Sequence, residues 1–133
     1  MKEKLIEQAK HIREKAYTPY SNFNVGAALL TKSGEIYTGC NIENASYPVS
    51  CCAERVAIFN AISEGHKQFQ GMAVVADTNG PVSPCGSCRQ VMAEFFDKDI
   101  PIYLLNLQDN VIETNIEELL PSSFQPKHLE EGK

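Results

Sequence analysis

Cys85 and Cys88 stand three apart in Pro84-Cys85-Gly86-Ser87-Cys88, a spacing that serves either a redox couple or two ligands of one metal ion. The metal reading needs further ligands elsewhere. Zinc takes Cys or His in a tetrahedral arrangement, and a catalytic zinc keeps one position for water. The stretch Cys51-Cys52-Ala53-Glu54-Arg55 offers a third thiolate, from Cys51 or Cys52. Both cysteine segments open helical patterns, where backbone N–H groups favour thiolate. Three thiolates and a water make a catalytic set, whereas a structural site takes four protein ligands. His11, His66 and His128 fall outside any paired spacing and read as surface residues.

Glu54 lies two positions beyond Cys52. Water activated by zinc needs a base for its proton, and a carboxylate there can provide one. Residues two apart in a regular helix point in different directions. If Cys52 is the N-cap, with non-helical dihedrals, the two groups can converge. Cys51 is then a small buried hydrophobe or a spare thiol. Taken alone, Glu54 reads as a first-turn carboxylate favoured by the helix dipole; with the cysteines around it, it becomes a candidate base.

These residues must be positioned by a chain of 133 residues, 43% hydrophobic and 22% charged, enough for one domain with a buried core. We expect a single domain over residues 1–133, with 125–133 as a polar tail. The net charge of −5 argues against gripping nucleic acid through its phosphates, which requires a basic stripe. The N-terminus, "MKEKLIEQAKHIREKAY", is charged and amphipathic, without the apolar core of a signal peptide. No run approaches the roughly 18 apolar residues of a membrane span. Five cysteines, an odd number, then fit free or metal-bound thiols in a reducing, cytoplasmic setting.

Leu5, Ile6, Ala9 and Ile12 recur at helical spacing and predict a helix over about 2–16. "NFNVGAALLTKSGEIYTGCNIEN" reads as two strands joined at Lys32-Ser33-Gly34. "CCAERVAIFNAISEG" and "GSCRQVMAEF" read as helices, the first stopped by Gly65. "GMAVVAD" and "IPIYLLNL" read as buried strands. Thr114 with Glu117 forms a capping-box start for a short helix ending near Pro121. Strands joined through helices favour parallel pairing, while the first hairpin is antiparallel. The expectation is an α/β fold, a mixed sheet covered by helices, with strand order left open.

The segments "PYSNFNVGAAL", "GCNIENASYP", "CCAERVAI", "PVSPCGSCRQV" and "ELLPSSF", in order from about Tyr17 to Phe124, resemble the short, homotetrameric type of the zinc-dependent cytidine deaminase family. The resemblance implies a three-layer α/β/α fold with about five strands. It also implies hydrolytic deamination of cytidine and deoxycytidine to uridine and deoxyuridine, a step of pyrimidine salvage that releases ammonia. Cys52, Cys85 and Cys88 would hold one Zn²⁺ per subunit, and Glu54 would shuttle protons.

Three thiolates leave a zinc unit with a formal charge of −1, which a nearby cation and N–H donors would offset. Arg55 resembles that cation, against the plainer reading of a solvated helix arginine; Arg89 is a second candidate. Asn41 and Glu43 share a face of a strand end and suit sugar hydroxyls, or else are simply solvated there. The resemblance makes them ribose contacts, with Phe23 as an aromatic wall and Ala53 also at the substrate. A carboxylate near a 5′-phosphate would repel it, favouring nucleoside over nucleotide. Phe124 would reach a neighbouring subunit's active site in a homotetramer; otherwise it anchors the terminus.

Competing readings remain. A thiol–disulfide oxidoreductase would use Cys85 and Cys88 but leaves Cys52 and Glu54 without a role. A structural zinc module would need a fourth ligand from Cys40, Cys51 or a histidine. A blasticidin S deaminase shares much of the motif, yet "NIEN" and "SYP" look more like cytidine enzymes. RNA editors often carry His in the first ligand position and a basic surface, neither of which is present.

Overall fold

Every residue of Val25–Thr31 is buried, as a central strand covered on both faces requires. This is β1 of a computed structural model that describes residues 1–131. The chain turns back through Gly34, at φ 95°, into β2 (Ile36–Cys40), which pairs antiparallel with β1. β3 (Phe69–Ala76) pairs antiparallel with the other edge of β1. β4 (Ile102–Asn106) lies parallel to β3, and β5 (Val111–Thr114) antiparallel to β4. The resulting order is β2-β1-β3-β4-β5.

The helices are α1 (Lys2–Arg13), α2 (Ala53–Ser63), α3 (Gly86–Phe95), α4 (Ile116–Leu119) and α5 (Pro126–Glu131). Period-two alternation divides the strands between two cores. Ala28, Leu30, Ala73, Val75 and Leu105 pack with Leu5 and Ala9 of α1. Ala27, Leu29, Met72, Val74, Ile102 and Leu104 pack with Ala57, Ile58 and Ala61 of α2 and with Met92 and Ala93 of α3. A mixed five-stranded sheet between helical layers is the α/β/α fold expected.

The topology brings two helix starts together. β2 and β3 both run antiparallel to β1, so they point the same way, and β4 follows β3. α2 connects β2 to β3, and α3 connects β3 to β4. Both helices therefore begin beyond the C-terminal ends of co-directional strands, the edge where open α/β sheets place their ligands. Gly39 lets α2 lie directly on β2: a Cβ there would sit 2.4 Å from the Ala57 nitrogen and 2.6 Å from the Ala53 carbonyl oxygen. Asn106, fully buried, ties down the loop that leads to α3. Its Nδ2 donates to the carbonyls of Thr78 and Asn79, and its Oδ1 accepts from the N–H groups of Gln108 and Asn110.

Several boundaries differ from expectation. α1 closes at Arg13, because Glu14, Lys15 and Ala16 donate to carbonyls three residues back in tighter turns. The short helix is capped by Asn115, whose side chain accepts from the Glu118 N–H; Thr114 belongs to β5. That strand has two exposed residues among its four, too weak a pattern to read as a strand. The polar stretch 125–133 contains α5, and its last two residues, Gly132 and Lys133, lie outside the described residues. Among the described residues no helix is long and apolar enough to cross a membrane.

Candidate active site

Cys52 is the N-cap of α2, in extended conformation at φ −73°, ψ 153°. Cys85 is the N-cap of α3, at φ −72°, ψ 168°, and Cys88 is buried one turn on. Two helix starts thus bring their positive dipole ends close to the three sulfurs, although neither cap sulfur accepts a hydrogen bond from its own helix. The Cys52 and Cys85 Sγ atoms are 3.7 Å apart and those of Cys85 and Cys88 3.4 Å, and all three lie within 4.8 Å of one another. Zinc–sulfur bonds of about 2.3 Å in a tetrahedron separate sulfurs by about 3.8 Å. The cluster fits zinc, with three protein ligands and one position left over.

The sulfurs differ in acidity. Hydrogen bonding from Cys88 leads in pulling the Cys52 thiol down to about 5, with Arg55 and Cys85 adding to it. That same bond, with burial, pushes the Cys88 thiol up. Protons and a metal cation compete for these atoms. Arg55 Nη2 donates to Cys52 Sγ at 3.5 Å, which holds the guanidinium firmly charged. Arg89, the second candidate, donates to the Pro84 and Leu119 carbonyls and to Ser83 Oγ, bracing the loop before α3. We expect Arg55→Ala to lower zinc affinity or kcat by about 10- to 100-fold. Metal content after dialysis and steady-state rates check this; unchanged values in both would remove the role.

Glu54 is 4% exposed. Burial raises its carboxyl to about 7, the Cys52 charge adds to the rise, and hydrogen bonding with Cys88 opposes it. Because Cys52 caps the helix in an extended conformation, its sulfur and the Glu54 carboxyl reach the same cluster. A carboxyl near neutrality beside a metal cluster can both take and give a proton at ordinary pH.

The other expected residues fall into three places. Ala53 is buried in the first turn of α2. Asn41 and Glu43 flank Ile42, whose backbone exchanges two hydrogen bonds with Cys51, both 2.9 Å. The strand end is thereby fastened to the residue before the first ligand. Asn41 donates from Nδ2 to the Phe23 carbonyl at 2.7 Å and accepts at Oδ1 from the Val25 N–H at 2.9 Å. Glu43 Oε1 accepts from the N–H groups of Tyr20 and Ser21, and Oε2 from Ser21 Oγ. These bonds, led by the Ser21 hydroxyl, hold its carboxyl below the usual range. Phe23 is exposed in the loop so held. Phe124, also exposed, stacks obliquely on His128 at 5.7 Å, and its carbonyl accepts from Gln90 on α3. Ser21 escaped the sequence reading, since a serine in a polar loop carries no periodic signal.

The profile of the cytidine and deoxycytidylate deaminase zinc-binding region matches residues 1–104. The chain belongs to this deaminase family. A cytidine deaminase of Sporosarcina psychrophila is 56% identical over 127 residues, covering 96% of this chain and 93% of the relative. One from Halalkalibacterium halodurans is 54% identical, over 94% and 95% of the two chains. The crystal structure of cytidine deaminase from Burkholderia pseudomallei superposes with a TM-score of 0.91 at 50% identity, over 93% of this chain and 99% of that one. Membership in the zinc-dependent deaminases accounts for all three clustered cysteines, whereas a redox couple uses two. The cofactor is a single zinc ion per subunit.

Proposed function

We propose that the protein is a zinc-dependent enzyme that hydrolyses cytidine and deoxycytidine to uridine and deoxyuridine, releasing ammonia, as a single catalytic domain in the cytoplasm. One observation carries the reading: a buried carboxyl raised to about 7 stands beside three sulfurs spaced for one tetrahedral ion. The cytidine deaminase names of relatives spanning nearly the whole chain support the substrate class. Loss of the cytidine absorbance band with matching ammonia release tests it. Zinc-replete protein that leaves cytidine intact would overturn it.

Cys52, Cys85 and Cys88 would hold the zinc, which when bound supplies Lewis acidity that lowers the pKa of water to about 7. Glu54 takes a proton from the attacking water and delivers it to the pyrimidine ring nitrogen N3. Glu54, ionised again, takes the proton of the new C4 hydroxyl and hands it to the amine, so that a C4 carbonyl forms as the C4–N bond breaks and ammonia leaves. Arg55 offsets the negative charge of the thiolates through Cys52. The N–H of Ala53 has no helical acceptor and serves the base. Phe23 flanks the base, and Asn41 and Glu43 receive the sugar. Glu43→Gln should raise the KM for cytidine about fivefold or more, by weakening a charge-assisted hydrogen bond to a hydroxyl. Wild-type kinetics in that variant would retire the sugar assignment.

The assembly we propose is a homotetramer in which Phe124 reaches a neighbouring active site. Its support is the apolar surface left uncovered in one chain. Tyr17, Tyr20, Phe23, Ile42, Tyr47 and Val49 are all exposed around the substrate loop, with Tyr20 and Tyr47 in edge contact at 5.8 Å. Such a grouping marks an interaction surface. Specific activity should fall as dilution dissociates the oligomer, followed in parallel by sedimentation. A fully active monomer would exclude the shared site.

A further inference from the structure

We propose that Ser21 is a positioning residue for nucleoside binding: its hydroxyl, bonded to both Glu43 and the Phe23 backbone, sets the direction in which Glu43 meets the sugar. The inference rests on the sugar role proposed for Glu43.

A serine hydroxyl has one proton to give. Here it goes to Glu43 Oε2. Ser21 Oγ in turn accepts the Phe23 N–H at 3.1 Å. The Ser21 N–H donates to Glu43 Oε1 at 3.1 Å, beside that of Tyr20 at 3.0 Å. One serine therefore grips both carboxylate oxygens and the backbone of the neighbouring aromatic.

Acceptor capacity gives this arrangement its consequence. An ionised carboxylate offers about four lone-pair sites. Oε1 uses two on backbone N–H groups and Oε2 uses one on the hydroxyl. One site remains, on Oε2, and Ser21 determines where it points. Glu43 can thus take a single sugar hydroxyl from a fixed direction. Without the Ser21 hydroxyl, Oε2 gains a second open site and water can occupy it. The carboxylate keeps its backbone donors but loses its orientation.

Ser21→Ala is expected to raise the cytidine KM about five- to tenfold, with a much smaller change in kcat, and Ser21→Thr to restore it. In a Glu43→Ala background Ser21→Ala should add little, because the partner through which it acts is gone. An undiminished effect there would show that the loop, rather than the carboxylate, was disturbed, and would overturn the proposal. An independent reading comes from carbon NMR of the Glu43 carboxyl in zinc-loaded protein. Its titration should move upward in Ser21→Ala, and an unmoved titration overturns the proposal whatever the kinetics show. Failure of the wild type to deaminate cytidine would sink the proposed reaction, while the NMR titration would still decide whether Ser21 holds Glu43.

Discussion

Glu54→Gln is expected to lower kcat for cytidine by about 10³- to 10⁴-fold, with zinc still bound at one ion per chain. The amide keeps the shape of the side chain but cannot take a proton from water and return it to the ring and the leaving amine. The substitution is also mild for the fold. Glu54 is 4% exposed and its carboxyl is raised to about 7, so the pocket already accommodates a neutral group. Thermal stability should therefore stay close to wild type or rise. Rapid mixing with cytidine, zinc analysis and a melting curve on one preparation separate these effects. Substantial turnover with zinc in place would mean that another group moves the proton.

Cys88→Ala should abolish both metal binding and activity. Cys88 is fully buried, 3.4 Å from Cys85 at its sulfur, and among the described residues no histidine shares the cluster. With two thiolates left, zinc affinity should fall by more than about 100-fold, beyond the range seen when only a supporting group is lost. Wild-type protein should melt at lower temperature after chelation, because an ion that binds the folded state stabilises it. The variant should melt at one temperature with or without chelator. A chelator-sensitive melt in Cys88→Ala would point to a different ligand set.

The parts of the site that sequence made readable are those encoded over a few residues. The cysteine spacing and the hairpin at Gly34 depend on local chemistry and stand where expected, and of the two placements open to Cys52 the chain adopts the cap, so that the helix read from Cys51 begins at Ala53. The apolar run of β3 reads as a buried strand, and burial on two faces is what leaves such a run. What stayed hidden depends on distant partners. β5 is a strand because β4 offers it an edge, through pairs such as Leu104 with Ile112, and its own side chains say little. Asn106 is buried because four backbone groups from two loops meet it. Arg55 and Arg89 look alike in sequence; only the fold turns one toward a sulfur and the other toward carbonyls.

Gly39 carries a consequence for how the site can change over evolutionary time. The gap between β2 and α2 is set by main-chain atoms in near contact, so the ruler has no side chain to lengthen or trim. Most packing distances drift through small exchanges, such as valine for isoleucine, that neighbours absorb. This one has no shorter setting, and every substitution pushes in the same direction, lifting the turn that carries Cys52 and Glu54 away from the cysteines of α3. Sequence drift around the pocket can reshape its walls gradually, while the depth of the catalytic helix in the sheet stays at a limit from which only retreat is available.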